Sequence, residues 1–172
     1  MAAAVEPTIP TKRQALAILE RGEREVRALL DRMSAGELID TGIGGGDWSP
    51  VDLVAHLTSW ERHAVEALAA WAHGERAPID RALDERGLIG VNSDTLAAVA
   101  GQTPRWILDQ AAATHQELLN AIRMVSSEAW RRPPLGRGRP LAIRVGSILG
   151  GPKGLYSHAD AHLPDLRRFV ER

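Results

Sequence analysis

His158 and His162 stand four apart in LYSHADAHLPDLRRF, and His56 stands far upstream in DWSPVDLVAHLTSWER. A spacing of four places two side chains one above the other on a single helix face. A helix so built offers two imidazoles to one metal ion. A third imidazole from a neighbouring helix makes a three-ligand site with coordination positions left open, which suits catalysis better than structural support. The chain has no cysteine, which removes disulfides, a thiolate nucleophile and any Cys-ligated zinc. Imidazole suits zinc, nickel and iron without sulfur. The plainer reading is that His158 and His162 are partly buried polar residues bonded to backbone or to neighbouring helices. Both lie on the stripe that should face the core, where an unpaired imidazole is costly.

His115 competes with these three, because it also sits on a core-facing stripe: Leu108, Ala111, His115, Leu118, Leu119 and Ile122. It suits a fourth ligand, a general base or a satisfied core histidine. We place it with Trp60 and Asn92 as the expected lining of a substrate pocket. His63 and His73 read as surface or helix-end residues, and an imidazolium near a helix C-terminus accounts for His73. Arg131, Arg132, Arg137 and Arg139 read as a solvated loop before they read as an anion clamp. GIGGGD and GGPKG lack the spacing of a phosphate loop, and no GxSxG elbow appears.

The elements that must position these residues read as helices. The first runs from about Lys12 to Met33, and Ser34 to Glu37 then reads as a capping box opening a short turn. The second starts at Ser49, with Pro50 at its first position, and runs to about Ala72. Residues 74–103 form a long connection, with a short helix capped by Asn92 or Ser93 and closed by Gly101. The third long helix starts at Thr103-Pro104 and runs to about Val125. SSEAWRRPPLGRGRP is a loop, and the fourth long helix begins between Ser147 and Gly154. LAIRV at 141–145 alternates like a strand but is alone, and an isolated strand has nothing to pair with.

Four long amphipathic helices predict an all-α four-helix bundle. The long link after the second helix can run back along its length, so the second and third long helices can be parallel. That gives an up-down-down-up order with a long helix 2–3 crossover. At 172 residues this is one domain, residues 1–172, with one sizeable core. A net charge of −1 asks for no nucleic-acid or membrane partner. No apolar run approaches a bilayer span, and the start MAAAVEPTIP lacks a signal-peptide pattern, so a cytoplasmic location is expected.

DWSPVDLVAHLTSWERHAVEAL resembles the second-helix signature of the DinB/YfiT-like superfamily, in which a Trp-Ser start leads to a His-Leu and then a Trp. HADAHLPDLRRF resembles its last helix, and PTKRQALAILERGEREVRALLDRMSAGEL is similar in style to the subgroup containing the colibactin self-resistance protein. The resemblance covers most of the chain apart from 74–92 and 131–147. It implies an up-down-down-up bundle, a metal site at His56, His158 and His162, and often a homodimer. Members include thiol-dependent S-transferases and isomerases, and the self-resistance subgroup includes a hydrolase that opens a reactive cyclopropane. Two departures bear on the aim of the imidazoles: GGPKG precedes His158, so the last helix can start late, and Pro164 removes a helical donor.

The expected function is therefore a metal-dependent enzyme acting on a small electrophile, by hydrolysis or thiol S-transfer. Its cofactor is a divalent metal, zinc or nickel, with a low-molecular-weight thiol as cosubstrate in the transfer case. The alternatives are a self-resistance protein whose bundle cavity sequesters a small molecule without a metal, and an interaction module that dimerises through a helix face.

Overall fold

Local capping chemistry sets where the helices begin. The computed structural model describes residues 8–172, so the reading of residues 1–7 falls outside the described residues. Thr11 accepts from the Gln14 amide and Gln14 accepts in return from the Thr11 amide, a reciprocal cap that opens α1 (Lys12–Leu30). Ser49 and Asp52 form the same pair ahead of α2 (Pro50–Ala72). Pro50 sits in its first turn, where a missing N–H leaves no bond unmade. Then come α3 (Pro78–Val99), α4 (Pro104–Met124), α5 (Ser127–Arg131), α6 (Leu141–Ile148) and α7 (His158–Val170). Thr103 caps α4, as its Thr-Pro start predicts.

Two apolar clusters, stacked along the bundle, fix the sense of its helices. One joins Ala15 and Leu19 of α1, Trp60 to Trp71 of α2, Leu118 and Ile122 of α4, and Tyr156 just ahead of α7. The other joins Val26 to Leu30 of α1, Val51 to Ala55 of α2, Ile107 of α4, and Leu163 to Phe169 of α7. Thus α1 and α7 run from the first cluster to the second, while α2 and α4 run the other way. The order is up-down-down-up. Salt bridges keep the same register: Arg21 meets Asp160 at 2.8 Å and Glu25 meets Arg167 at 2.6 Å. Fully buried Leu53, Leu118, Ile122 and Leu166 each contribute about 1.5–3 kcal/mol of hydrophobic stabilisation.

The crossover differs from the expectation. It is not a loop with a short helix from Asn92 but one long helix, α3, broken at Gly87, whose φ of 64° only glycine adopts readily. It returns along α2: Trp60 Nε1–H donates to Asn92 Oδ1 at 3.0 Å, and Thr95 Oγ1 donates to Ser59 Oγ at 3.0 Å. Asn92 and Ser93 therefore lie inside a helix and cap nothing.

Two further expectations are corrected and one unassigned segment takes its place in the fold. The segment read as a loop at 126–140 contains α5, capped by Ser126, and buries Trp130, whose indole N–H donates to the Pro10 carbonyl at 2.8 Å. LAIRV, whose strand-like alternation had no partner to pair with, is the start of α6, with Leu141, Ala142, Ile143 and Val145 all buried. The last long helix begins at His158, not between Ser147 and Gly154. Glycines and Pro152 intervene, and Gly151 and Gly154 pair in an isolated bridge. α7 then continues through Pro164. No helix among the described residues is long and apolar enough to cross a membrane.

Candidate functional site

His56 lies at the seam between the two apolar clusters, after Ala55 of one and before Trp60 of the other, and is 4% exposed. His158 is the first residue of α7, so its place depends on how the chain enters that helix. The chain is clamped there by α6. The Tyr156 N–H donates to the Gly146 carbonyl at 3.1 Å, and the His158 N–H donates to the Leu149 carbonyl at 3.0 Å. Helix ends leave such carbonyls without intrahelical partners. The Tyr156 hydroxyl donates to the Ala142 carbonyl at 2.5 Å. Tyr156 adopts φ 64°, a left-handed geometry rare for a bulky residue, which this set of bonds holds in place. The approach leaves no room for side chains beneath it: a Cβ at Gly151 would lie 2.4 Å from the Ser157 carbonyl oxygen.

With α7 so placed, three imidazoles converge. His56 Nε2 and His158 Nε2 are 3.1 Å apart, and the ligand atoms of His56, His158 and His162 all lie within 4.8 Å of one another. The ring of Trp48 packs 5.0 Å from that of His56, and the rings of Trp60 and His158 meet at right angles, 6.0 Å apart. Burial, reinforced by the neighbouring imidazoles, pushes His56 down to about 4 and His158 down to about 3. Burial also lowers His162, although Asp165 opposes it. The trio is therefore neutral at pH 7, the form in which imidazole donates a lone pair to a metal.

These residues fit a divalent cation. Two nitrogens bonded to one tetrahedral zinc lie roughly 3.3 Å apart, given bonds of about 2.0–2.1 Å. The donor set has no carboxylate and no sulfur, as suits zinc or nickel. His56 Nδ1 is buried without a hydrogen-bond partner among the described residues, so the second nitrogen of that ring lacks the support metal-bound histidines usually have.

The expected pocket residues divide. Trp60 flanks the cluster, and Asn92 fixes the Trp60 indole through its only N–H. His115 does not join the trio. Its Nδ1 lies 2.8 Å from Glu61 Oε1, and it lines a cavity bounded by α1, α2, α4 and the start of α7, whose wall His158 shares. His63, read as a surface residue, has its Nδ1 buried, and its ring packs 5.6 Å from Trp60. Glu61, Trp48 and Tyr156 carry no signal of a site role in the sequence. Asp160, 5% exposed in the first turn of α7, is neutralised by Arg21 and favoured by the helix dipole.

Burial lowers the His115 pKa, but the Glu61 hydrogen bond and charge outweigh it and the net shift is upward. A folded pKa above the unfolded value of about 6.5 means the pair stabilises fully below that pH, and the contribution is lost as pH rises through the folded value. Glu61→Gln should therefore cost more stability at about pH 5.5 than at about pH 8.5. Urea unfolding at the two pH values measures this, and an equal cost at both would refute the ion pair.

The DinB superfamily profile matches residues 18–150. The chain belongs to the DinB superfamily. A crystal structure of an uncharacterised protein from Escherichia coli UTI89 shares this DinB fold, with a TM-score of 0.74, 16% identity and 95% of each chain covered. No curated protein matches the chain. The DinB match ends before His158 and His162, so that pair stands on the geometry above.

Proposed function

We propose that this DinB-superfamily protein is a metal-dependent enzyme that acts on a small electrophilic molecule, by hydrolysis or by transfer of a low-molecular-weight thiol. His56, His158 and His162 hold the cation, zinc or nickel. The observation that carries this reading is the convergence of three desolvated, neutral imidazoles from two distant helices. A bound divalent cation acidifies a water or thiol and so supplies a nucleophile at neutral pH. The chain's own residues prepare for it. Burial keeps the imidazoles unprotonated, Trp48 and Trp60 pack against them, and Asn92 bonds the Trp60 indole. Three protein ligands leave positions for a reactant, as catalytic sites do. Assembly as a homodimer belongs to the same reading and is tested by light scattering, whereas a self-resistance protein that sequesters its ligand without a metal is the alternative to it.

The test is chelation and reloading. Protein stripped with a chelator is reloaded with zinc or nickel. It is then assayed on p-nitrophenyl acetate for hydrolysis, and on 1-chloro-2,4-dinitrobenzene with glutathione for S-transfer. Turnover that vanishes on chelation and returns with the ion supports the reading. Turnover indifferent both to chelation and to His56→Ala overturns it.

A further inference from the structure

The cavity beside the trio lies at the same seam between the apolar clusters and has a volume of 130 Å³. An engineered cavity of about 150 Å³ takes up benzene, so the space matches a six-membered ring. Its walls are mostly apolar, among them Val26, Leu57, Leu108 and Ala111. One polar pair is set into them. Glu61 accepts from the His115 Nδ1–H, and the His115 and Glu61 side chains are only 10% and 19% exposed. The other ring nitrogen, Nε2, makes no hydrogen bond among the described residues and is not sealed from solvent. His115 and Glu61 both line the cavity, and a carboxylate that holds one imidazole nitrogen leaves the other free to bond a ligand, as in many acid–base and binding sites.

The remaining charges around the cavity select against ions. Glu23 is paired with Arg27 at 2.6 Å, Asp160 with Arg21 at 2.8 Å and Glu20 with Arg123 at 3.0 Å, so their fields are partly offset, while Asp31 lines the cavity as a further acidic group. The groups whose charge acts on His115 are all acidic: Glu61 on α2, and Glu23 and Glu20 on α1. An anionic ligand would meet their field, and a cation would compete with His115 for Glu61. An uncharged acceptor meets neither obstacle.

We propose that this cavity binds a small uncharged molecule with an apolar body of about six carbons and one oxygen acceptor, which takes a hydrogen bond from His115 Nε2–H. The site needs no metal. It stands whether or not the three-histidine centre is catalytic, and chelated protein tests it separately.

Cyclohexanone is the probe, and methylenecyclohexane, the same shape without the oxygen, is the control. Both are titrated into chelator-treated full-length protein at about pH 6, where an imidazole with an ordinary or raised pKa carries both protons. Proton–nitrogen NMR of the histidine side chains is the readout. The expected result is a saturable shift of the His115 resonances and binding of cyclohexanone about tenfold tighter than its control, the effect of one charge-assisted hydrogen bond. Ala111→Leu should weaken both probes by at least about tenfold, because its larger side chain occupies the space the ring would fill. Leu108→Phe replaces it if that variant does not fold. Glu61→Gln with His115→Leu leaves no orphaned charge and should make the two probes bind equally. Equal binding of both probes to the wild type, absence of a saturable His115 shift, or undiminished binding in the filled cavity would each overturn the proposal.

Discussion

His158→Ala lowers zinc affinity by more than about 100-fold, because residues that merely support a metal ligand already contribute about 10–100-fold. The loss follows from the geometry. His158 is the imidazole closest to His56, at 3.1 Å, and its ring also meets that of His162 at a centroid distance of 5.2 Å. Without it the remaining nitrogens belong to His56 and His162, a two-ligand set that competes poorly with water. His115→Ala is the matched control. His115 is also a buried histidine, but it faces Glu61 and not the trio, so zinc affinity should change by less than about threefold. Competition against a chelating dye measures both. Similar losses in the two variants would show that the metal is held elsewhere.

Gly151→Ala destabilises the protein by about 1–3 kcal/mol, the range for overpacking a tight site, and weakens zinc binding as well. The added Cβ meets backbone, 2.4 Å from the Ser157 carbonyl oxygen and 2.9 Å from its carbonyl carbon, so no side chain can rotate away. Relief requires the segment entering α7 to shift, and that segment sets His158. Gly150→Ala serves as the comparison, since its nearest contact is 3.2 Å, on the Ser147 carbonyl oxygen, and none falls on Ser157. Chemical denaturation of metal-free protein gives the stability change, and dye competition gives the affinity. If Gly151→Ala lowers stability but leaves affinity intact, the clamp between α6 and Tyr156 does not aim His158.

What the sequence showed of this molecule was local. Ser49 and Asp52 cap α2, and Thr103 caps α4, because a cap needs only residues within one turn. The HxxxH spacing needed only helical periodicity, and His56 was readable from its neighbours in the chain. α3 was not legible. Its start at Pro78 follows Ala77, which offers no side-chain cap, and Gly87 interrupts its pattern. α6 went unassigned because it is buried on nearly every side, which leaves no polar phase to reveal a helical period. The late start of α7 depends on Tyr156 taking a left-handed conformation against α6 carbonyls, a tertiary effect. Glu61 likewise acquires its meaning from His115, a partner on another helix. The histidines were visible as a set, whereas the second polar pair and the cavity between them required the fold.

The proposed function depends on one ion held by His56, His158 and His162. Metal analysis of protein purified without a nickel column tests it most directly. The expected result is about one divalent ion per chain, absent from the His56→Ala, His158→Ala, His162→Ala triple variant, which melts at a lower temperature than the metal-loaded wild type. A metal-free wild type that takes up no added zinc or nickel, with a triple variant that melts where the wild type does, would contradict it.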